Sequence, residues 1–209
     1  MKNTAQIRII CVDDHPIVLE GLTGVLSLQP EFSVVGTSVT GAGAVELLRK
    51  YHPDIVLLDL SLRDETGFQV MREMLDIHAD IRIIILTSLE GDADIDRALA
   101  MGARGYVVKG ATRDELTRAI RIVHSGKRYI PGDVAAKMAE YLGSEKLTAR
   151  EDQVLAQMAR GKRNKEIGAE LKIAEDTVKM HVKSILAKLG VSDRTEAVTV
   201  ALRRGLIHL

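Results

Sequence analysis

Over the first 126 residues, short aliphatic runs alternate with segments of helical period, and beyond residue 147 the strand signal stops. The runs lie at residues 7–12, 33–37, 54–59, 81–87 and 105–109. The first, third and fourth are nearly continuous in Ile, Val and Leu, the pattern of parallel strands covered on both faces. Between and after them, helical spacing occupies 16–28, 41–51, 67–78, 92–101 and 112–124. Pro16 opens the first of these at a favoured first-turn position, and Thr112 with Glu115 opens the last as a capping box. Strict β-α alternation over five repeats predicts a flavodoxin-like α/β fold with a five-stranded parallel sheet.

From Leu147 the pattern is helical only, at about 148–160, 164–171, 175–189 and 193–204, broken by Gly161, a turn at 172–174, and Gly190. This predicts an all-α, four-helix unit whose second and third helices form a helix-turn-helix. Residues 127–146, with Pro131-Gly132, an amphipathic stretch at 134–142 and Gly143-Ser144, read as a linker with one short helix. The expected domains are therefore 1–126, the linker 127–146, and 147–209.

Charge supports the division. The chain has 29 basic and 29 acidic side chains, a formal net charge of zero. Residues 1–126 carry 13 Lys and Arg against 18 Asp and Glu, or −5, while 127–209 carry 16 against 11, or +5. A basic helical unit is a nucleic-acid candidate that overall neutrality conceals. The single cysteine, Cys11, sits in an apolar run and fits a reducing compartment. No apolar stretch reaches the ~20 residues of a membrane span, so a cytoplasmic protein without a membrane partner is expected. A dinucleotide fingerprint fails because Gly41 and Gly43 are followed by Glu46, and no phosphate-loop string exists.

Asp13 and Asp14 end the first strand, and Asp59 ends the third. In this topology those strands are neighbours at the switch point, where ligands bind beyond the strand ends. Carboxylates brought so close repel by about 1–4 kcal/mol per pair, which a hard cation such as Mg²⁺ offsets through oxygen ligands. Thr87 and Lys109 end the fourth and fifth strands on the same edge and could serve phosphoryl oxygens. Taken singly, each acidic residue is as well explained as a helix N-cap; the five together favour phosphoryl chemistry.

The strings Asp13-Asp14-His15-Pro16, Leu58-Asp59-Leu60 with Gly67 beyond, Leu86-Thr87-Ser88 and Gly102-Ala103-Arg104-Gly105-Tyr106-Val107-Val108-Lys109 resemble the receiver domain of bacterial response regulators. The resemblance implies that Asp59 accepts a phosphoryl group from a sensor histidine kinase. It implies that Asp13, Asp14, Asp59 and the backbone carbonyl of Ser61 hold Mg²⁺, and that Thr87 and Lys109 bind the phosphoryl oxygens. Tyr106 would be the aromatic whose rotamer accompanies switching. Arg63 and Gly110 stand where many receivers carry proline; both changes are expected to alter loop rigidity without touching a reacting group.

In the helical unit, Val178, Val182, Ile185 and Leu189 form a buried stripe on residues 175–189, while Lys179 and Lys183 lie one turn apart on another face. By itself that face is equally a solvated one, and the motif is also a packing device. Leu147-Thr148-Ala149-Arg150-Glu151, Asn164-Lys165-Glu166-Ile167, Thr177-Val178-Lys179-Met180-His181-Val182 and Lys188-Leu189-Gly190-Val191 resemble the LuxR-type DNA-binding domain. The two halves together resemble a NarL/FixJ-type response regulator. By that resemblance Lys179, Met180 and Lys183 face base edges of double-stranded promoter DNA. Lys165, Thr177 and His181 are further DNA-binding candidates, and Val198, Ala201 and Leu202 are candidate contacts of a phosphorylation-favoured homodimer. The resemblance also implies that the unphosphorylated acidic half can mask the recognition helix. Two other readings stay open on the residues alone: a Mg²⁺-dependent phosphohydrolase with an aspartate nucleophile, and a regulator used without phosphorylation.

Overall fold

The computed structural model describes residues 6–64, 66–88, 91–141 and 145–207. Its first ten elements are β1 (Ile7–Val12), α1 (Pro16–Ser27), β2 (Phe32–Ser38), α2 (Gly41–Tyr51), β3 (Ile55–Leu58), α3 (Gly67–Ile77), β4 (Arg82–Thr87), α4 (Asp92–Met101), β5 (Gly105–Val108) and α5 (Arg113–His124). The strands form one sheet in the order β2-β1-β3-β4-β5, with every neighbouring pair parallel. The expected five-stranded α/β fold is present, with boundaries within two residues of the periodicity.

The apolar runs explain the packing. Ile9, Cys11, Ile55, Leu57, Ile84 and Val107 present one face of the sheet to Leu19, Leu26, Leu116, Ile120 and Val123 on α1 and α5. Ile10, Val56, Leu58, Ile83 and Ile85 alternate with them and are also buried, so both faces are covered. Burial pushes the Cys11 thiol up to about 12, with the nearby Asp13 charge adding to the effect. The thiol is held in its inert, protonated form.

One element was not legible in the sequence. After α5 the chain returns to the sheet, where the Tyr129 N–H donates to the Arg104 carbonyl (3.0 Å) and its own carbonyl accepts from the Tyr106 N–H (3.0 Å). This single parallel bridge between Gly105 and Tyr129 satisfies backbone groups that β5 would otherwise expose as an edge strand. The sheet's hydrogen bonding thus extends past Gly126 into the segment read as linker.

Packing divides the chain into two compact units, residues 1–89 with 96–133, and residues 90–95 with 134–209. The second contains α7 (Ala149–Ala159), α8 (Asn164–Leu171), α9 (Glu175–Leu189) and α10 (Arg194–Arg203), preceded by α6 (Gly132–Tyr141). Val154, Leu155, Met158, Ile167, Val178, Ile185, Ala197 and Ala201 form its core, with Val182 and Leu189 packed against them as the stripe predicts. The helix-turn-helix is α8, a turn entered through Lys172 in the left-handed region (φ 55°), and α9. Gly168 is required there, because a Cβ would meet the Ile173 carbonyl oxygen at 2.8 Å. Ala174 supplies no side-chain cap to α9, as its sequence implies. No helix among the described residues is long and apolar enough to cross a membrane.

The capping box at Thr148 does more than start a helix. The Glu151 carboxylate accepts from the Thr148 N–H (2.7 Å), and it is also buried against α9, where Ser184 Oγ (2.6 Å) and Lys188 Nζ (2.8 Å) donate to it. Burial acts to raise its pKa, but these donors prevail and hold the carboxyl at about 2, below the ordinary 4.5. A depressed folded pKa adds stability that is full above pH ~4.5 and lost as pH falls toward 2. Glu151→Gln should therefore lower the urea midpoint of the helical unit at pH 7, and the gap to wild type should close between pH 4.5 and 2. A probe in α9 of the full chain reads this; parallel pH curves would contradict it.

Candidate functional site

Because β1 and β3 are adjacent, the residues that follow them meet at one sheet edge. The Asp59 N–H donates to the Val12 carbonyl (2.9 Å) and the Asp13 N–H to the Ser38 carbonyl (3.1 Å), which fixes both backbones. Gly67 starts α3 directly over this strand end: a Cβ there would lie 2.3 Å from the Asp59 carbonyl oxygen and 2.6 Å from Leu60 Cα. Its place in the motif is thus a close approach of backbone to backbone. The Gly67 N–H donates to the Leu60 carbonyl (2.9 Å), pinning the loop after Asp59 through the Ser61–Thr66 bridge.

Asp13, Asp14 and Asp59 are all buried, Asp59 to 1% exposure. Lys109, just past β5, reaches across β4 and places its Nζ 2.7 Å from Asp13 Oδ2 and 2.8 Å from Asp59 Oδ2. Burial raises the Asp59 pKa, and hydrogen bonds from Lys109 and from the Ser61 backbone work against it. For Lys109 burial acts downward, but its bonds to Asp13 and Asp59 outweigh it and raise the ammonium pKa. The carboxylates thus hold the lysine charged, while at Asp59 burial outweighs the pull of the lysine.

His15 and Arg63 also contact the acidic site, a role that the sequence does not show for either. His15 Nδ1 lies 2.6 Å from Asp14 Oδ1 and 3.2 Å from Asp13 Oδ1. Arg63 Nε donates to Asp14 Oδ2 at 3.1 Å. Arg63 therefore touches the acidic site, which corrects the expectation that its replacement of proline affects the loop alone. The missing signal was geometric: the side chain is long enough to fold back over a loop whose path the sequence does not give.

Asp13, Asp14, His15 and Asp59 each offer one ligand atom, all within 4.8 Å of one another. Asp59 Oδ1 is buried and has no hydrogen-bond partner among the described residues. An acidic oxygen-rich cluster with an orphaned buried oxygen fits a hard divalent cation. Thr87 ends β4 in register with Val108, on the same edge as Lys109; its side chain lies outside the described set. Tyr106 is fully buried on β5.

On the helical unit, Lys179, Met180 and Lys183 are exposed on α9, while Thr177 and His181 are half-buried and Lys165 is exposed on α8. Met180 is 72% exposed, far beyond what a packing residue shows. Lys179 is not a free ammonium: its Nζ lies 2.9 Å from Asp176 and 3.8 Å from Glu175, and these partners raise its pKa. Arg194 spans from α10 to the start of α8, donating to the Lys162 carbonyl and to Asn164. Of the candidate dimer contacts, Ala201 is completely buried in the core, so it packs the domain and cannot meet a partner. Val198 is half-buried against that core and Leu202 lies at the surface.

The response regulator receiver domain family matches residues 9–121, and the luxR family of bacterial regulatory proteins matches residues 145–201. The transcriptional regulatory protein LiaR of Bacillus subtilis is 36% identical over 210 residues, covering 97% of this chain and 100% of that protein. The transcriptional regulatory protein DegU of Brevibacillus brevis is 32% identical over 230 residues, covering 99% and 98%. Among solved structures, the response regulator ChrA of a heme-sensing two-component system has a TM-score of 0.58 at 32% identity, covering 98% of this chain and all of that one. RcsB from Salmonella enterica serovar Typhimurium, bound to promoter P1flhDC with phosphomimetic BeF₃⁻, has a TM-score of 0.75 at 26% identity over 93% and 97%. With both halves matched in order and relatives aligned end to end, the chain belongs to the NarL/FixJ family of response regulators, a receiver domain followed by a LuxR-type DNA-binding domain.

Proposed function

We propose that Asp59 accepts a phosphoryl group from a sensor histidine kinase, and that its phosphorylation controls dimerisation and binding of promoter DNA by α9. The observation that carries this is the Asp59 carboxylate, buried beside Lys109, with Oδ2 engaged at 2.8 Å and Oδ1 without a hydrogen-bond partner among the described residues. In the transfer an Asp59 oxygen forms the new bond to phosphorus while the bond from phosphorus to the donor imidazole nitrogen breaks. That nitrogen keeps the electron pair and takes a proton. The chain is thus a stoichiometric acceptor, not a turnover enzyme.

Asp13, Asp14, Asp59 and the Ser61 carbonyl would hold Mg²⁺, which when bound neutralises phosphoryl oxygens. Lys109 serves the same end by leaving the carboxylates for the incoming group, and the Thr87 hydroxyl donates to it. Phosphorylation replaces the single carboxylate charge of Asp59 with the roughly −1.5 to −2 of a phosphoryl group. The new demand on Thr87 and Lys109 repacks the surface of α4, β5 and α5, with Tyr106 changing rotamer, and that biases a two-state surface toward the dimer. The opposite charges of the two halves favour masking of α9 in the unphosphorylated chain. RcsB, seen on promoter DNA with a phosphomimetic, supports this order of events by analogy.

Incubation with acetyl phosphate and Mg²⁺, followed by intact mass, should give one phosphoryl adduct, absent in Asp59→Asn. An adduct that survives that substitution would overturn the assignment. On DNA, Lys165→Ala should weaken binding uniformly across sequences and reduce the salt slope by about one. Lys183→Ala should instead cost about 1–3 kcal/mol at one base position and relax its specificity. Affinities over a set of single-base variants at two salt concentrations separate the two; identical profiles would contradict the assigned roles.

A further inference from the structure

The acidic site is already engaged by the protein's own side chains. Among the described residues, the six oxygens of Asp13, Asp14 and Asp59 lie against Lys109, His15 and Arg63, save Asp59 Oδ1. Asp14 is the extreme case: His15 Nδ1 takes Oδ1 at 2.6 Å and Arg63 Nε takes Oδ2 at 3.1 Å. A divalent cation that uses Asp14 competes with these groups for its oxygens.

The two are held differently. His15 is tied to the start of α1, and its own N–H donates to Asp13 Oδ1 (3.0 Å). Arg63 stands on the loop between β3 and α3 and is 76% exposed, so it can swing into solvent at little cost. Its base is nevertheless anchored, because the next residue, Asp64, accepts from the Gly41 N–H at the start of α2 (3.1 Å). The guanidinium is thus kept near Asp14 while remaining free to leave.

Resting on the metal-site reading above, we propose that Arg63 is a resident competitor for Asp14 and sets the Mg²⁺ concentration at which the acceptor site becomes loaded. A guanidinium cannot lose its charge at any physiological pH, so the competition is constant and is relieved only by the metal. The arrangement stabilises the metal-free acidic cluster and raises the threshold for metal binding by the same contact.

The test is a double-mutant cycle on the full chain, with Mg²⁺ affinity measured by calorimetry. Arg63→Ala and Arg63→Gln should each tighten Mg²⁺ about two- to fivefold, the range that a largely exposed arginine–carboxylate pair is worth. At a fixed Mg²⁺ concentration the metal-induced rise in melting temperature should be larger in both than in wild type. Added NaCl should shrink the difference by screening. With Asp14→Asn in the background, removing Arg63 should no longer tighten the metal. Unchanged or weaker Mg²⁺ binding in both Arg63 variants would overturn the proposal, as would equal tightening in the Asp14→Asn background. If Mg²⁺ binding by the wild type were indifferent to Asp14→Asn, the metal-site reading itself would fall.

Discussion

Three carboxylates buried at the end of one sheet are the constraint on which the receiver depends. Each pair at ~4 Å would repel by about 1–4 kcal/mol, a sizeable fraction of what holds a small domain folded. The structure offsets this with Lys109 shared between Asp13 and Asp59, and with His15 and Arg63 on Asp14. The balance is uneven: Lys109 is largely buried, Arg63 is mostly exposed, and Asp59 Oδ1 has no hydrogen-bond partner among the described residues. A site balanced in this way responds to added charge.

The DNA-binding half solves a different problem. Its four helices bury a small core, and polar contacts fix how they cross: Glu151 joins α7 to α9, and Arg194 joins α10 to the entry of α8. With those angles set, α9 can display Met180 and Lys183 outward without using them for packing. Lys179 is displayed too, but tethered to Asp176 and Glu175 at the acidic first turn of α9. Those acids suit the helix N-terminus. They also tether that ammonium to the protein, so Lys183 is the freer of the two lysines.

Much of this was legible from periodicity. Continuous aliphatic runs fixed the buried strands, and the switch-point rule then brought Asp13, Asp14, Asp59 and Lys109 to one edge before any contact was known. Gly190 and the Thr112 and Thr148 capping boxes marked helix ends where the structure has them. What failed to read were contacts that depend on loop paths and side-chain reach. Arg63 looked like a change of loop stiffness, yet it binds Asp14. Tyr129 looked like linker, yet it caps β5, because an exposed strand edge recruits whatever backbone passes it. Ala201 was a dimer candidate by resemblance, yet it packs in the domain's own core.

The central claim is that the chemical state of Asp59 governs what α9 does. The direct measurement is the affinity of the full chain for a duplex recovered by selection from a random pool, with and without acetyl phosphate and Mg²⁺. Phosphorylation should tighten binding and increase its steepness with protein concentration, while Asp59→Asn should stay at the unphosphorylated affinity under both conditions. Equal affinity of the phosphorylated and unphosphorylated wild type would contradict the account.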